Sequence, residues 1–266
     1  MTIIAGRVEE REAVAESHIL FFEEKGGVWF PIFGAPTFLL EDGFVTQIEG
    51  ETIFGGVQVY PKPVDGNLGA VGWRTVFHRG RDLWSLKENQ FAVGPDGMKD
   101  IRLISLKNGK IGVFTRPQGG SNGAGKIGYV EINSISVLND SEKIANARII
   151  EDQFAEGEWG GANDLHLLVD DKIKVIGHIA CYDDQSSKHY YVMSFVYDSK
   201  THIASPIEII ATRKNFPEDG AKRPELKDIV FPSSLVCHED GTETLYVGLS
   251  DATAGKLERP APVAKN

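Results

Sequence analysis

Cysteine is scarce in this chain: Cys181 and Cys237 are the only two among 266 residues. Two thiols do not make a disulfide framework, and their apolar, strand-like surroundings predict buried free thiols. Long hydrophobic runs are also missing. None reaches the roughly 18–20 residues that a bilayer-spanning helix needs. The opening MTIIAGRVEEREAVAE has no basic segment followed by an apolar one, so a secretory leader is not expected and a cytoplasmic location is. Positive charge is in deficit, 28 Lys and Arg against 38 Asp and Glu, for a net charge of −10. The densest basic stretch, around Lys222, Arg223 and Lys227, is broken by Glu225 and Asp228. Nucleic acid and anionic membranes are therefore not expected partners. A small molecule, a carbohydrate or a protein remains. Helical periodicity is rare as well. Glu9–Ser17 offers the one plausible helix, short and weakly amphipathic, and reads equally as a polar loop.

What is present is a recurring unit: a β-rich run, a turn of Gly, Asn or Asp, then a second β-rich run. SHILFFEEKGGVWFPIF, FVTQIEGETIFGGVQVY, LHLLVDDKIKVIGHIA and SSLVCHEDGTETLYVGLSD are four copies. IRLISLKNGKIGVFTRP is another and turns at Asn108-Gly109, the strongest short hairpin signal. YYVMSFVYDSKTHIASPIEII turns around Asp198–Lys200. Three copies are entered through an aspartate, Asp42, Asp100 and Asp164, at spacings of 58 and 64 residues. A period of roughly 55–70 residues fits a four-stranded propeller blade with its loops, and the length allows four to five blades. A β-sandwich is the competing all-β reading. The propeller is favoured because the aspartates repeat at one phase, where strand starts face a central channel.

Most motifs have an ordinary explanation. PQGGSNGAGKIG fits G-x-x-x-x-G-K at Gly120, Gly125 and Lys126, but Ile127 stands where a phosphate loop needs Ser or Thr. The residues that follow alternate like a strand, so residues Gly119–Gly125 are expected to join two strands without binding a nucleotide. His166 and His178 fall on two arms of one hairpin, yet no HExxH or Cys-x-x-Cys accompanies them, and no metal is expected. Asp42-Gly43 is by itself a turn signal. Lys99-Asp100-Ile101-Arg102 places two cations around one carboxylate, which makes either a salt bridge or a site for sugar hydroxyls or phosphate. Arg116 joins it from the end of the paired strand. Trp159, with flexible glycines, Asn163 and Asp164 close behind, combines a ring face with directional hydrogen bonds, the chemistry of sugar recognition.

GPDGMKDIRLISLKNGKIGVFTRPQGG, EWGGANDLHLL, IGHIACYDD, KHYYVMSFVYD, KRPELKDIVFPSSL and LYVGLSDATAG closely resemble the family known as domain of unknown function 1861, over about residues 4–255. More remotely, LLEDGFVTQIEGETIFGGVQVY, MKDIRLISLKNGKIGVFTRP and DIVFPSSLVCHEDGTETLYVGLSDA are similar to segments of glycoside hydrolase family 130. Those proteins are five-bladed propellers that phosphorolyse or hydrolyse β-mannosides. IIAGRVEER resembles a further strand of that family. The resemblance implies Asp42 as general acid, Lys99 and Asp251 as contacts to substrate or phosphate, and Arg7 as a contact to the sugar in the cleaved subsite. Three departures stand out. The acid segment reads EDG where the family has EDP, and Thr115 stands where the phosphorylases have His before Arg-Pro. The Asn-Pro segment expected upstream of Arg7 has no counterpart, which implies a truncated start or a first blade that closes differently.

The resulting expectation is one all-β domain over residues 1–266, a five-bladed β-propeller whose first blade is either complete or short of a strand. Its function is an inverting phosphorolysis or hydrolysis of a β-linked, mannoside-like oligosaccharide. It would use no cofactor, with inorganic phosphate as co-substrate in the first case. Catalytic candidates are Asp42, Asp100 and Asp164. Binding candidates are Arg7, Lys99, Arg102, Arg116, Trp159, Asn163 and Asp251. The alternative is a non-catalytic propeller that binds a glycan or a protein through a groove lined by Trp159, Trp73 or similar rings.

Overall fold

A computed structural model describes residues 2–10, 16–62, 69–87 and 89–261. It is built almost wholly of antiparallel strands. Strands β1 (Ile3–Val8), β2 (His18–Lys25) and β3 (Val28–Pro31) form a three-stranded sheet. Strands β4 (Glu41–Ile48), β5 (Glu51–Pro61), β6 (Val71–Gly80) and β7 (Gln90–Val93) form a four-stranded meander. A second four-stranded meander follows, of β8 (Arg102–Ser105), β9 (Ile111–Thr115), β10 (Gly128–Ile132) and β11 (Arg148–Ile149). The remaining strands, β12 (Trp159–Leu167), β13 (Ile173–Tyr182), β14 (Lys188–Asp198), β15 (Ile203–Ala204), β16 (Glu208–Ala211), β17 (Asp228–Cys237), β18 (Thr242–Leu249) and β19 (Thr253–Pro260), make one eight-stranded sheet.

The expected hairpins are all present. At Asn108-Gly109 the glycine takes φ +79° and its N–H donates to the Leu106 carbonyl at 3.1 Å, closing the β8–β9 turn. Gly119–Gly125 joins β9 to β10 through a single 3₁₀ turn at Gly120–Asn122, and a strand follows it. The candidate helix at Glu9–Ser17 falls largely outside the described residues. A short helix that sequence reading did not anticipate, α1 (Ser141–Ala145), is capped by Asp140, whose side chain accepts the Lys143 N–H at 3.0 Å. Both cysteines are free, but neither is buried: Cys237 is exposed and Cys181 half-buried. Each sits near the end of a strand, where the apolar pattern of the interior gives way to solvent.

The contacts divide the chain into two compact units, Met1–Gln118 with Gly128–Arg148 and Gly119–Ile127 with Ile149–Asn266. In the first, Phe44, Ile53 and Phe77 pack with Ile101, Leu103 and Val113, so the two meanders share one core. A neighbouring cluster of Ile19, Phe21, Phe38, Phe54 and Val76 joins the three-stranded sheet to the first meander. In the second unit, Ile176, Val192, Val230, Leu245 and Val247 form the core. There β14 uses one edge for three partners in turn. It pairs with β17 in parallel at His189 and Tyr190, with β16 at Val192–Ser194 and with β15 at Tyr197–Asp198. No long stretch of that edge is left open to pair with another chain.

Backbone packing in β12 and β13 is close enough to forbid side chains. A methyl group on Gly160 would run into the His178 carbonyl and the Phe154 ring, and one on Gly177 into the Gly161 carbonyl. Gly160, directly after Trp159, is therefore not flexible, as the composition of this stretch predicts, but fixed by a strand that passes too near for a Cβ. Gly160→Ala should lower stability by about 1–3 kcal/mol, the usual cost of overpacking. Chemical denaturation against the unaltered chain measures this directly, and an unchanged midpoint would mean that the strands part at no cost.

Candidate functional site

A half-open cluster of charge gathers in the first unit. Arg7, on β1, reaches Asp42 at the start of β4, Nη1 to Oδ1 at 3.3 Å, and lies 3.7 Å from Glu41. Its Nη2 donates to Glu9 at 2.8 Å, and its Nε to the Ser17 hydroxyl at 3.0 Å. Ser17 in turn donates to Glu9 at 2.6 Å. Asp42 itself has φ +49°, a left-handed conformation that a non-glycine residue adopts only where its surroundings hold it. It sits where the β4–β5 register slips between Glu41 and Phe44, a bulge that re-aims the side chain. Its side chain is 19% exposed and Arg7's is 30%. Burial pushes the Glu41 carboxyl above the ordinary range, with Asp42 adding to the shift and Arg7 and Lys99 opposing it. Burial works against the Arg7 charge, but Asp42, Glu41 and Glu9 together raise its pKa further still. Glu9 and Ser17 were invisible to sequence reading, because nothing in their spacing ties them to Arg7.

Asp100 is a different kind of acid. It too has a left-handed backbone, φ +57°, but its side chain is 1% exposed. Arg116 Nη1 donates to its Oδ2 at 2.7 Å, and Arg102 Nη2 lies 3.9 Å from its Oδ1. The two cations around this carboxylate are thus Arg116 and Arg102, not Lys99 and Arg102, while Lys99 is half-buried and acts on Glu41. Residue 99 precedes the strand, which frees it from the Asp100–Arg102 face. Both guanidiniums are almost wholly buried. Arg102 also lies over the Phe44 ring, 4.3 Å from its centroid, and so ties β8 to β4. Thr115, in the place of the phosphorylases' His, is buried beside them in sequence, and its hydroxyl has no hydrogen-bond partner among the described residues.

The second unit places its candidates in structural roles. Asp164 does not begin a strand; it is the sixth residue of β12, after a bulge at Asn163. Its Oδ1 accepts the Leu165 N–H at 2.9 Å, and its Oδ2 accepts the Leu235 N–H at 2.8 Å and contacts His166 at 3.1 Å. This carboxylate staples β12 to β17. Trp159 is 5% exposed, tilted against Tyr182 at 5.0 Å, with its indole N–H donating to the Tyr190 hydroxyl. It is a packed core ring rather than an open platform for sugar. Asn163 is buried against His178, Oδ1 to Nδ1 at 2.8 Å, and His178 stacks on Tyr190. His166 pairs across the hairpin with Lys174 and His178 with Gly161, so the two histidines do not face each other. Asp251 occupies a turn at φ +53°, 3.8 Å from Lys222. Among the described residues, no three His, Cys, Asp or Glu side chains are grouped to hold a metal ion.

The family model described as protein of unknown function (DUF1861) matches residues 1–265. The chain belongs to this family. A mannose phosphorylase from Leishmania mexicana, solved in complex with phosphate ion, is 36% identical, with a TM-score of 0.85 over 96% of this chain and 78% of its own. A GDP-Man-dependent mannosyltransferase from the same organism is 35% identical, with a TM-score of 0.83 over 98% of this chain and 81% of its own. A β-1,2-mannobiose phosphorylase from Listeria innocua shares the fold at 17% identity and TM-score 0.66, over 92% of this chain and 67% of its own. These neighbours are of the glycoside hydrolase family 130 type that the acid and Lys-Asp segments resemble. No curated protein matches the chain.

Two measurements separate these acids. Asp100→Ala removes the carboxylate that both buried guanidiniums face, and should cost about 3–5 kcal/mol of stability. An Asp100 that served chemistry alone would leave the denaturation midpoint in place. Glu41 is pushed up in the folded state, so folding favours its protonated form. Its contribution is fully present below the unfolded carboxyl pKa and is lost as pH rises through the folded value. Glu41→Gln, which cannot ionise, should therefore gain in relative stability as pH is raised from about 4 to 7. A difference between the two proteins that stays flat over that range would remove the shift.

Proposed function

We propose that the protein is a carbohydrate-active enzyme that phosphorolyses a β-linked mannoside with inversion. The observation that carries the reading is its 36% identity, over nearly the whole chain, to a mannose phosphorylase solved with phosphate. The partly exposed Arg7–Asp42 cluster supports it from the residues upward. The fold in this reading is one five-bladed β-propeller over residues 1–266, with the eight-stranded sheet supplying two blades. Asp42 is the general acid and donates its proton to the leaving glycosidic oxygen. A phosphate oxygen attacks the anomeric carbon from the opposite face as the glycosidic bond breaks. The products are an α-linked sugar 1-phosphate and the shortened sugar, and no protein base is needed. Arg7 holds the sugar, and half-buried Lys99 supplies the positive charge for phosphate, since Arg102 and Arg116 are engaged with Asp100.

Hydrolysis would instead require a second carboxylate roughly 6.5–9.5 Å from Asp42 to activate water. Of the three candidate acids, Asp100, Asp164 and Asp251, Asp100 is ion-paired and Asp164 holds two backbone N–H groups, so two of the three are not offered to a water molecule, which favours phosphate as the nucleophile. A second reading is mannosyl transfer from a nucleotide-activated donor, favoured by the 35% identity to the mannosyltransferase. In either reading Trp159 and Asn163 act as scaffold, and Asp251 is left as a binding residue.

The assay is release of sugar 1-phosphate from a panel of β-linked oligosaccharides, with and without phosphate, alongside release of GDP from GDP-mannose. Phosphate-dependent cleavage is expected. Asp42→Asn should fold and bind sugar but lose about 10²–10⁴-fold in turnover. Full activity in that variant, or glycan binding with no cleavage by the unaltered protein, would replace the enzyme with a glycan-binding module.

A further inference from the structure

None of the candidate residues lines the cavity that opens in the second unit. Its volume is about 570 Å³, within the range of small-molecule sites. The starts of β14 and β17 and the segment between β16 and β17 enclose it. Basic and acidic side chains line it in equal number, and among the described residues only His189 of the bases is paired with lining acids, Asp183 and Asp228.

The acids are engaged elsewhere. The His189 imidazole lies between two carboxylates, Nδ1 to Asp228 Oδ2 at 2.6 Å and Nε2 to Asp183 Oδ2 at 3.3 Å. The Tyr191 hydroxyl donates to the same Asp228 oxygen at 2.7 Å. The hydrogen bond to Asp228, more than the opposing burial, holds the His189 pKa above its ordinary value, so the ring keeps the proton that serves both acids. Glu225 is taken by Arg223 at 3.0 Å, and Asp219 by the Gly220 N–H at 2.7 Å. Glu218 is exposed at the rim.

The cations are differently placed. Arg213 is planted by three hydrogen bonds, all to uncharged oxygens. Its Nε donates to Ser250 Oγ at 3.2 Å, and its Nη1 to the carbonyls of Phe216 at 3.2 Å and Pro217 at 2.7 Å. No carboxylate among the described residues forms an ion pair with it, nor with Lys188, Lys214 or Lys227. A guanidinium fixed through two of its nitrogens, with Nη2 not engaged among the described residues, is pre-organised to donate to an oxyanion such as a phosphoryl group. Two flanking lysines add charge of the amount a dianion carries.

We propose that this cavity binds a phosphate monoester, its dianionic group held by Arg213, Lys214 and Lys227. The cavity is several times larger than a phosphate group, so the remaining volume receives the esterified group, for which mannose serves as the probe. The site is built from residues other than the Arg7–Asp42 cluster and does not rest on the phosphorolysis reading.

The test reads the cavity directly. The His189 side-chain signals in long-range ¹H–¹⁵N spectra, assigned by their loss in His189→Gln, are followed while the full chain is titrated with mannose 1-phosphate and, separately, with inorganic phosphate. A saturable shift with the ester is expected, weakened about tenfold or more in Lys214→Gln/Lys227→Gln, since both charges act on the phosphoryl group. Those two side chains are exposed, so the variant should keep its fold. Equal affinity for inorganic phosphate would overturn the ester in favour of the free anion. No shift at His189 up to about 10 mM of either probe, an affinity too weak to matter, overturns the site. So does a shift undiminished in the double variant. Turnover in the Asp42 assay plays no part in this readout, so either proposal can fail alone.

Discussion

A carboxylate sealed from water sets the frame of the first unit. Asp100 cannot stay charged at 1% exposure unless opposite charge is fixed beside it, and Arg116 at 2.7 Å with Arg102 at 3.9 Å provides that charge. The requirement then spreads outward. Arg116 must follow the end of β9, Arg102 must open β8, and Arg102 must lie flat enough to cover the Phe44 ring of β4. The ionic contact thereby holds Arg102 over Phe44, and this cation–π contact joins the two meanders on top of the apolar core they share. The left-handed backbone at Asp100 belongs to the same constraint, since the turn into β8 brings the carboxylate and the guanidinium two residues later to one place.

The second unit uses an acid in a comparable way but with backbone as its partner. Asp164 ties β12 to β17 by accepting two N–H groups and leaning on His166. Both residues are recurrent strand-entry aspartates in sequence, and both are consumed by the fold. Asp42 differs in what surrounds it. Its contact with Arg7 lies at 3.3 Å in a half-open cluster, with Glu41 pushed toward its protonated form next to it. Acid chemistry needs a carboxyl free to exchange a proton with a substrate, so partners separate this position from the two stapling acids: Asp100 is sealed and ion-paired, and Asp164, though partly exposed, holds two backbone N–H groups.

The hairpins were legible because their determinants are local. Asn108-Gly109 encodes its own turn, and alternation on either side encodes the strands. The membership of the chain in its family was legible for the same reason: long contiguous segments carry it. Much of the site was not. Glu9 and Ser17 reach Arg7 through the pairing of β1 with β2, which no spacing rule predicts. Trp159 has the composition of a sugar platform, but two tyrosines from β13 and β14 cover it. The short α1 did leave a trace, an aspartate followed by Ser-Glu-Lys, which is an N-cap signature hidden by the strands around it. The cavity of the second unit assembles from three separated stretches, and only their pairing brings Arg213 and His189 to one opening.

The glycine after Asp42 shows how closely sequence and site are joined. Where the related acid segments carry proline, Gly43 lies on the core, and a Cβ there would stand 3.2 Å from side-chain carbons of both Ile19 and Phe54. Those two residues are fully buried and belong to one packed cluster, so neither has room to retreat. Any larger residue must lift the backbone away from them. Asp42 is the adjoining residue, already at φ +49° and aimed by the bulge it shares with Gly43. Lifting one moves the other, and the 3.3 Å contact to Arg7 is long enough that a small displacement would break it. The change from proline to glycine therefore need not mark a lost acid. It lets this core pack tightly beneath the acid while keeping the carboxylate on Arg7.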